Sequence, residues 1–161
     1  MRVAESTLPL DANEGPSATP TVTERAVLAH LVQTLTDAWN AHDARAVAAL
    51  YAPDFEGDDI ALADPQHGPD AVRRLTQYYL RAFPDLKVTL DGLVIDSDQA
   101  VMIWTLSGTH RNTFMNIPPT GRYTSVRGTT CLTVRDGLVH RATRIWDLAG
   151  LLRGMGLLPE L

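Results

Sequence analysis

The chain has 161 residues, of which 45% are hydrophobic and 20% charged, and its net charge is −5. That size and apolar content suit one globular domain with a real core, while the acidic balance and scattered basic residues give no support for a nucleic-acid or anionic-membrane partner. A single cysteine, Cys131, excludes an intrachain disulfide and any Cys-based zinc site.

Residues 1 to about 20 are rich in Pro, Ser, Thr, Gly and acids and read as a flexible tail. They lack a continuous apolar stretch of the signal-peptide kind, and nowhere do about 18 apolar residues run together to span a bilayer. A soluble cytoplasmic protein is the default expectation. The folded domain is expected over residues 21–161, beginning with a capping box of Thr21 and Glu24. Val27, Leu28, Leu31, Val32, Leu35 and Trp39 then fall on one helical face. Asn40 and Asp43 end that helix and start a second over Ala44 to Tyr51. A third opens at Gly68-Pro69, with Pro69 in the first turn. Its inward stripe is Val72, Leu75, Tyr79 and Phe83, and Pro84 closes it.

After Pro84 the pattern changes to strands at Leu86–Ile95, Gln99–His110, Tyr123–Arg135 and Leu138–Trp146, with a short one near Asp54–Ile60. Asp136-Gly137 is a two-residue hairpin turn between the last two long strands. Helices followed by an antiparallel sheet predict an α+β fold with the helices on one sheet face. If Arg135 pairs with Leu138, residues 139, 141, 143, 145 and 147 share the more apolar face with 126, 128, 130, 132 and 134. Asp147 is then expected to point inward, and one β-bulge would reverse this. Cys131, among strand residues, reads as a small buried apolar side chain. The acidic run Asp54, Asp58, Asp59 and Asp64 reads as a solvated loop face.

Six stretches taken together resemble the SnoaL-like polyketide (ester) cyclases of the NTF2-like, ketosteroid-isomerase-related superfamily. They are Trp39–Phe55, Ala82–Leu86, Trp104–His110, Ile117–Arg122, Arg135–Gly137, and the ending in which Asp147 precedes Leu151, Leu152 and Gly156. The resemblance implies a cone, a strongly curved antiparallel sheet around an apolar pocket closed by helices, and a homodimer or larger oligomer. It also implies cofactor-free ring closure on a polyketide-like small molecule, as part of antibiotic-type secondary metabolism. Related groups hydroxylate, isomerise or open epoxides, and some only bind ligands.

Aldol cyclisation needs a base for the proton beside a carbonyl and a donor for the enolate. In the cyclases an Asp at the end of the last strand is the acid/base, and Asp147 matches that place. The same residue stands where an N-cap would, before Leu148-Ala149-Gly150-Leu151-Leu152. Both roles stay open. His110 is the second catalytic candidate, as a neutral imidazole donor, or else a structural histidine. Trp104, Phe114, Tyr51, Thr143 and Met115 are expected to line the substrate pocket or fill the core. His30, His42, His67 and His140 show no metal-ligand spacing, so no metal is expected. Arg141 and Arg144 depart from the family pattern; they read as exposed surface or as groups for an acidic substrate. An inward Arg141 beside Asp147 would favour a hydroxylase or epoxide-opening enzyme. A helix-capping Asp147 with a small or filled cavity would favour a non-catalytic module.

Overall fold

The computed structural model describes residue 19 and residues 21–160; the tail expected over residues 1–20 otherwise lies outside the described residues. The Thr21 hydroxyl accepts the Glu24 amide and the Glu24 carboxylate accepts the Thr21 amide, so the expected capping box is formed. Helix α1 (Val22–Asn40) follows and buries Leu28, Leu31, Val32, Leu35 and Trp39. Val27, expected on that face, is exposed.

Side chains set the turn after α1. The Asn40 amide group donates to the Val88 carbonyl and its oxygen accepts the Val88 amide, each at 2.8 Å, as a neighbouring strand would. His42, with φ 57°, reaches the Leu86 carbonyl at 2.7 Å. Asp43 accepts the Arg45 and Ala46 amides and so caps α2 (Ala44–Ala48). That helix is shorter than expected, because Tyr51 already belongs to strand β1 (Tyr51–Asp59). After a two-residue strand β2 (Gln66–His67), helix α3 (Gly68–Ala82) begins with Pro69 in its first turn and packs Val72, Thr76 and Tyr79 inward.

The remaining strands are β3 (Lys87–Asp96), β4 (Gln99–Thr109), β5 (Tyr123–Arg135) and β6 (Leu138–Trp146), and a short helix α4 (Leu148–Gly154) closes the fold. Among the described residues they form one six-stranded sheet in the order β2-β1-β6-β5-β4-β3. All pairs are antiparallel except β1 with β6. Asp136 and Gly137, with φ 52° and 74°, make the β5–β6 turn, and Arg135 pairs with Leu138 as expected. Helices α1, α3 and α4 pack on the sheet and enclose one apolar core, the α+β arrangement predicted.

The register of β6 corrects the expected parity. Thr133 pairs with Arg141 but Val134 pairs with Val139, so His140 is an extra residue on β6. Its imidazole meets the Asp54 carboxylate at 2.9 Å. Val139 faces the core, and beyond the bulge Ala142, Arg144 and Trp146 lie opposite the inward Leu132, Thr130 and Gly128. Thr143 and Ile145 therefore face outward, and Asp147 beyond them is exposed. The same alternation turns Cys131, paired with Thr143 and Val101, to the outer face, where it is exposed rather than buried.

Candidate active site

Between the sheet and the helices lies a small cavity, partly open to solvent. Its walls are mostly apolar: Leu35 and Trp39 from α1, Met102, Trp104 and Leu106 from β4, and Val126 from β5 contribute. Trp104 and Trp146 flank Gly128 in one row across β4, β5 and β6. A Cβ at Gly128 would lie 2.5 Å from two Trp104 ring carbons and 2.7 Å from the Trp146 Cβ. The missing side chain is what leaves room there for the Trp104 ring and the Trp146 side chain.

A small polar cluster interrupts this apolar surface. Asp59, at the end of β1, shares the inward face with Phe55 and Gly57 and is almost fully buried. Its Oδ1 accepts the Trp146 Nε1–H at 2.8 Å and the Ala61 amide at 3.1 Å. Its Oδ2 has two longer contacts, Tyr79 Oη and Arg144 Nη1, each at 3.4 Å. Four donors thus converge on this one carboxyl. Oδ1 is held more tightly than Oδ2, and the carboxylate sits one layer behind Tyr79, Arg144 and Trp146, which line the cavity.

The Arg144 guanidinium carbon also sits 6.0 Å from the centre of the Trp39 ring. Burial alone would push this guanidinium's pKa down, but the oxygens of Tyr79, Asp59 and Tyr51 around it more than offset that. Burial pushes the Tyr51 and Tyr79 phenols up, so both are neutral donors.

The expected site residues divide. Trp104 and Tyr51 line the cavity, and the Trp104 Nε1–H donates to Thr130 Oγ1 at 2.9 Å. Phe114 is fully buried one layer behind, against Tyr78, Tyr79 and Phe83. Met115 lies beside it, with its amide donating to the Tyr78 hydroxyl. Thr143, contrary to expectation, lines an outer groove with Glu56, Asp58 and His67. Asp147 is the N-cap of α4: its Oδ1 accepts the Gly150 amide at 2.7 Å and it lies outside the cavity. Arg141 is exposed and pairs with Glu56 at 3.4 Å.

His110 is fully buried behind the cavity wall, with its ring 5.5 Å from that of Phe83. Its Nδ1 lies 3.3 Å from the Thr120 amide and 3.1 Å from the Thr120 hydroxyl, while Nε2 has no hydrogen-bond partner among the described residues. Burial holds the imidazole below its ordinary pKa, with the Asn112 backbone opposing in part. The folded state therefore resists a proton that the unfolded chain accepts below about pH 6.5. Stability should fall as pH drops below that value. Melting curves at pH 7.5 and 5.5 should show a larger loss for the native protein than for His110→Gln; an equal loss would count against it.

Sequence reading missed Asp59 and Tyr79, and it took Arg144 chiefly for surface. The signal for Asp59 was the alternation Phe55-x-Gly57-x-Asp59, masked by the acidic residues around it.

Comparison with known proteins follows the same lines. A family model described as SnoaL-like polyketide cyclase matches residues 29–155. No curated protein matches the chain. Among solved structures, AclR of Streptomyces galilaeus, a proposed hydroxylase, superposes with a TM-score of 0.75 at 26% identity, covering 88% of this chain and 90% of its own. TsrD of Streptomyces laurentii gives 0.75 at 30% identity, over 83% and 98%. IdmH of Streptomyces antibioticus, a proposed polyketide cyclase, gives 0.70 at 26%, over 80% and 97%.

Proposed function

The chain belongs to the SnoaL-like polyketide cyclase family, and from that premise we propose that it is a cofactor-independent enzyme closing a ring on a polyketide-like substrate in secondary metabolism. The observation that carries this reading is the Asp59 carboxylate, fully buried directly behind the cavity-lining Tyr79, Arg144 and Trp146, with one oxygen held at 2.8 and 3.1 Å and the other only by two 3.4 Å contacts. Oδ2 is the general base: it takes a proton from the carbon next to a carbonyl and returns it to the alkoxide formed by ring closure. Trp104, Trp146 and Tyr51 hold the folded chain, and the apolar walls keep water from the enolate. Such chemistry needs no redox or metal group. Phe114, Met115 and His110 support the wall from behind.

The test is turnover of an uncharged poly-β-keto ester, followed by mass spectrometry and absorbance of the cyclised product. Native protein is expected to accelerate ring closure and Asp59→Asn to lose the acceleration; equal rates with and without protein would sink the proposal. The Asp59–Arg144 cluster and the likeness to AclR also favour a second reading, a hydroxylase. In that case the product gains one oxygen atom, which requires dioxygen and a reductant, whereas ring closure leaves the mass unchanged. A non-catalytic module agrees with the capping Asp147, but not with an open cavity beside a buried carboxylate.

We place the enzyme in the cytoplasm as a homodimer. Among the described residues no helix is long and apolar enough to cross a membrane. Ile103 and Ile145 stand either side of Thr129 on the outer sheet face and are both exposed, an apolar row suited to a second copy. Ile145→Arg should shift the sedimentation mass from dimer to monomer, and a native protein that is already monomeric would remove this part of the reading.

A further inference from the structure

We infer that Arg144 and Tyr51 together bind the oxygen of the enolate. This rests on the reading of Asp59 as the base. Arg144 uses one N–H toward Asp59, in a 3.4 Å contact, and lies near the Trp39 ring on the cavity wall. Beyond Asp59 it also interacts with the Tyr79 hydroxyl, which leaves the rest of its five N–H groups for a ligand. The Tyr51 hydroxyl makes no hydrogen bond among the described residues, although the ring is buried against Phe55 and lines the same cavity. Two kinds of donor thus border one space, with N–H and O–H groups open to an acceptor brought by a ligand.

Charge is conserved through the step. The resting site holds one carboxylate and one guanidinium. When the α C–H bond breaks, the proton goes to Asp59 Oδ2 and the electron pair passes onto the carbonyl oxygen. Arg144 then exchanges one anionic partner for another, and the net charge of the site does not change. A ligand arriving already ionised would instead place a second anion beside Asp59 in a poorly hydrated space, which like-charge repulsion opposes.

The experiment uses 4-nitrophenol, whose ionised form is read by visible absorbance, and 4-nitroanisole as its uncharged counterpart. In Asp59→Asn the unpaired Arg144 should bind nitrophenol as the anion, about tenfold or more tighter than native protein, the range of one charge-assisted hydrogen bond. Adding Arg144→Gln should abolish both the gain and the ionisation, while nitroanisole binds all variants alike. Unchanged ionisation in the double variant would overturn the assignment. Tyr51→Phe removes only an unpartnered hydroxyl, so it serves even if Asp59→Asn does not fold. It should weaken nitrophenol binding to native protein about three- to tenfold without affecting nitroanisole, and equal nitrophenol affinity overturns the Tyr51 role. If neither ligand binds native protein, the cavity reading falls as well. If nitroanisole binds but these residues make no difference, only the present inference falls.

Discussion

Asp59→Asn should fold, keep its cavity and lose about 10²- to 10⁴-fold in turnover, the usual contribution of a positioned general base. Asparagine has the shape of aspartate and can still accept the Trp146 and Ala61 N–H groups at its oxygen, so the anchoring side of the residue survives. What disappears is the proton-accepting oxygen beside Arg144 and Tyr79. Asp59→Leu should do more damage, because it strands a buried guanidinium; breaking a buried pair from one side costs about 3–5 kcal/mol. The informative companion is Asp147→Asn. Asparagine caps helices about as well as aspartate, so the Gly150 amide keeps its acceptor. Turnover is expected to stay within about twofold of native, since the change lies outside the catalytic wall. Steady-state kinetics on the two variants, with circular dichroism to confirm folding, decides between the carboxylates. Loss of turnover in a folded Asp147→Asn variant, with Asp59→Asn active, would reassign the acid/base.

Gly128→Ala should lower the melting temperature by about 3–10 °C, corresponding to about 1–3 kcal/mol for overpacking a filled core. The added methyl would meet the Trp104 ring and the Trp146 Cβ well inside van der Waals distance. Neither indole can move without loss. Trp104 is tied to Thr130 and Trp146 to Asp59, both by their ring N–H groups. Accommodation therefore pulls on the base itself, and residual turnover should fall along with stability. A melting temperature unchanged by Gly128→Ala would show that the indoles have slack that their hydrogen bonds argue against.

Local signals made much of this fold legible in the sequence. The Thr21–Glu24 cap, the Asp136-Gly137 turn and the limits of β5 and β6 depend on residues close to one another along the chain, and all stand where the pattern puts them. Tyr51 was harder, since its place in β1 depends on a parallel pairing with Val139, far along the chain. The orientation of the last strand was not recoverable from alternation. It turns on His140, one unpaired residue held by a contact with Asp54. Asp59 was obscured for a different reason. Acidic residues crowd its neighbourhood, and only tertiary packing separates the one that turns inward from those that face water.

The same bulge carries an evolutionary implication. Strand β6 and the residue that follows it hold two sets of side chains, Ala142, Arg144 and Trp146 on one side and Thr143, Ile145 and the capping Asp147 on the other. Gain or loss of a single codon near position 140 would exchange them wholesale, delivering a carboxylate to the chamber and sending the guanidinium to the exterior. Point mutation would need several simultaneous steps to do as much. Lineages sharing this scaffold thus have a short route between chemistries, and alignments that slide by one residue here would mistake one chemistry for the other.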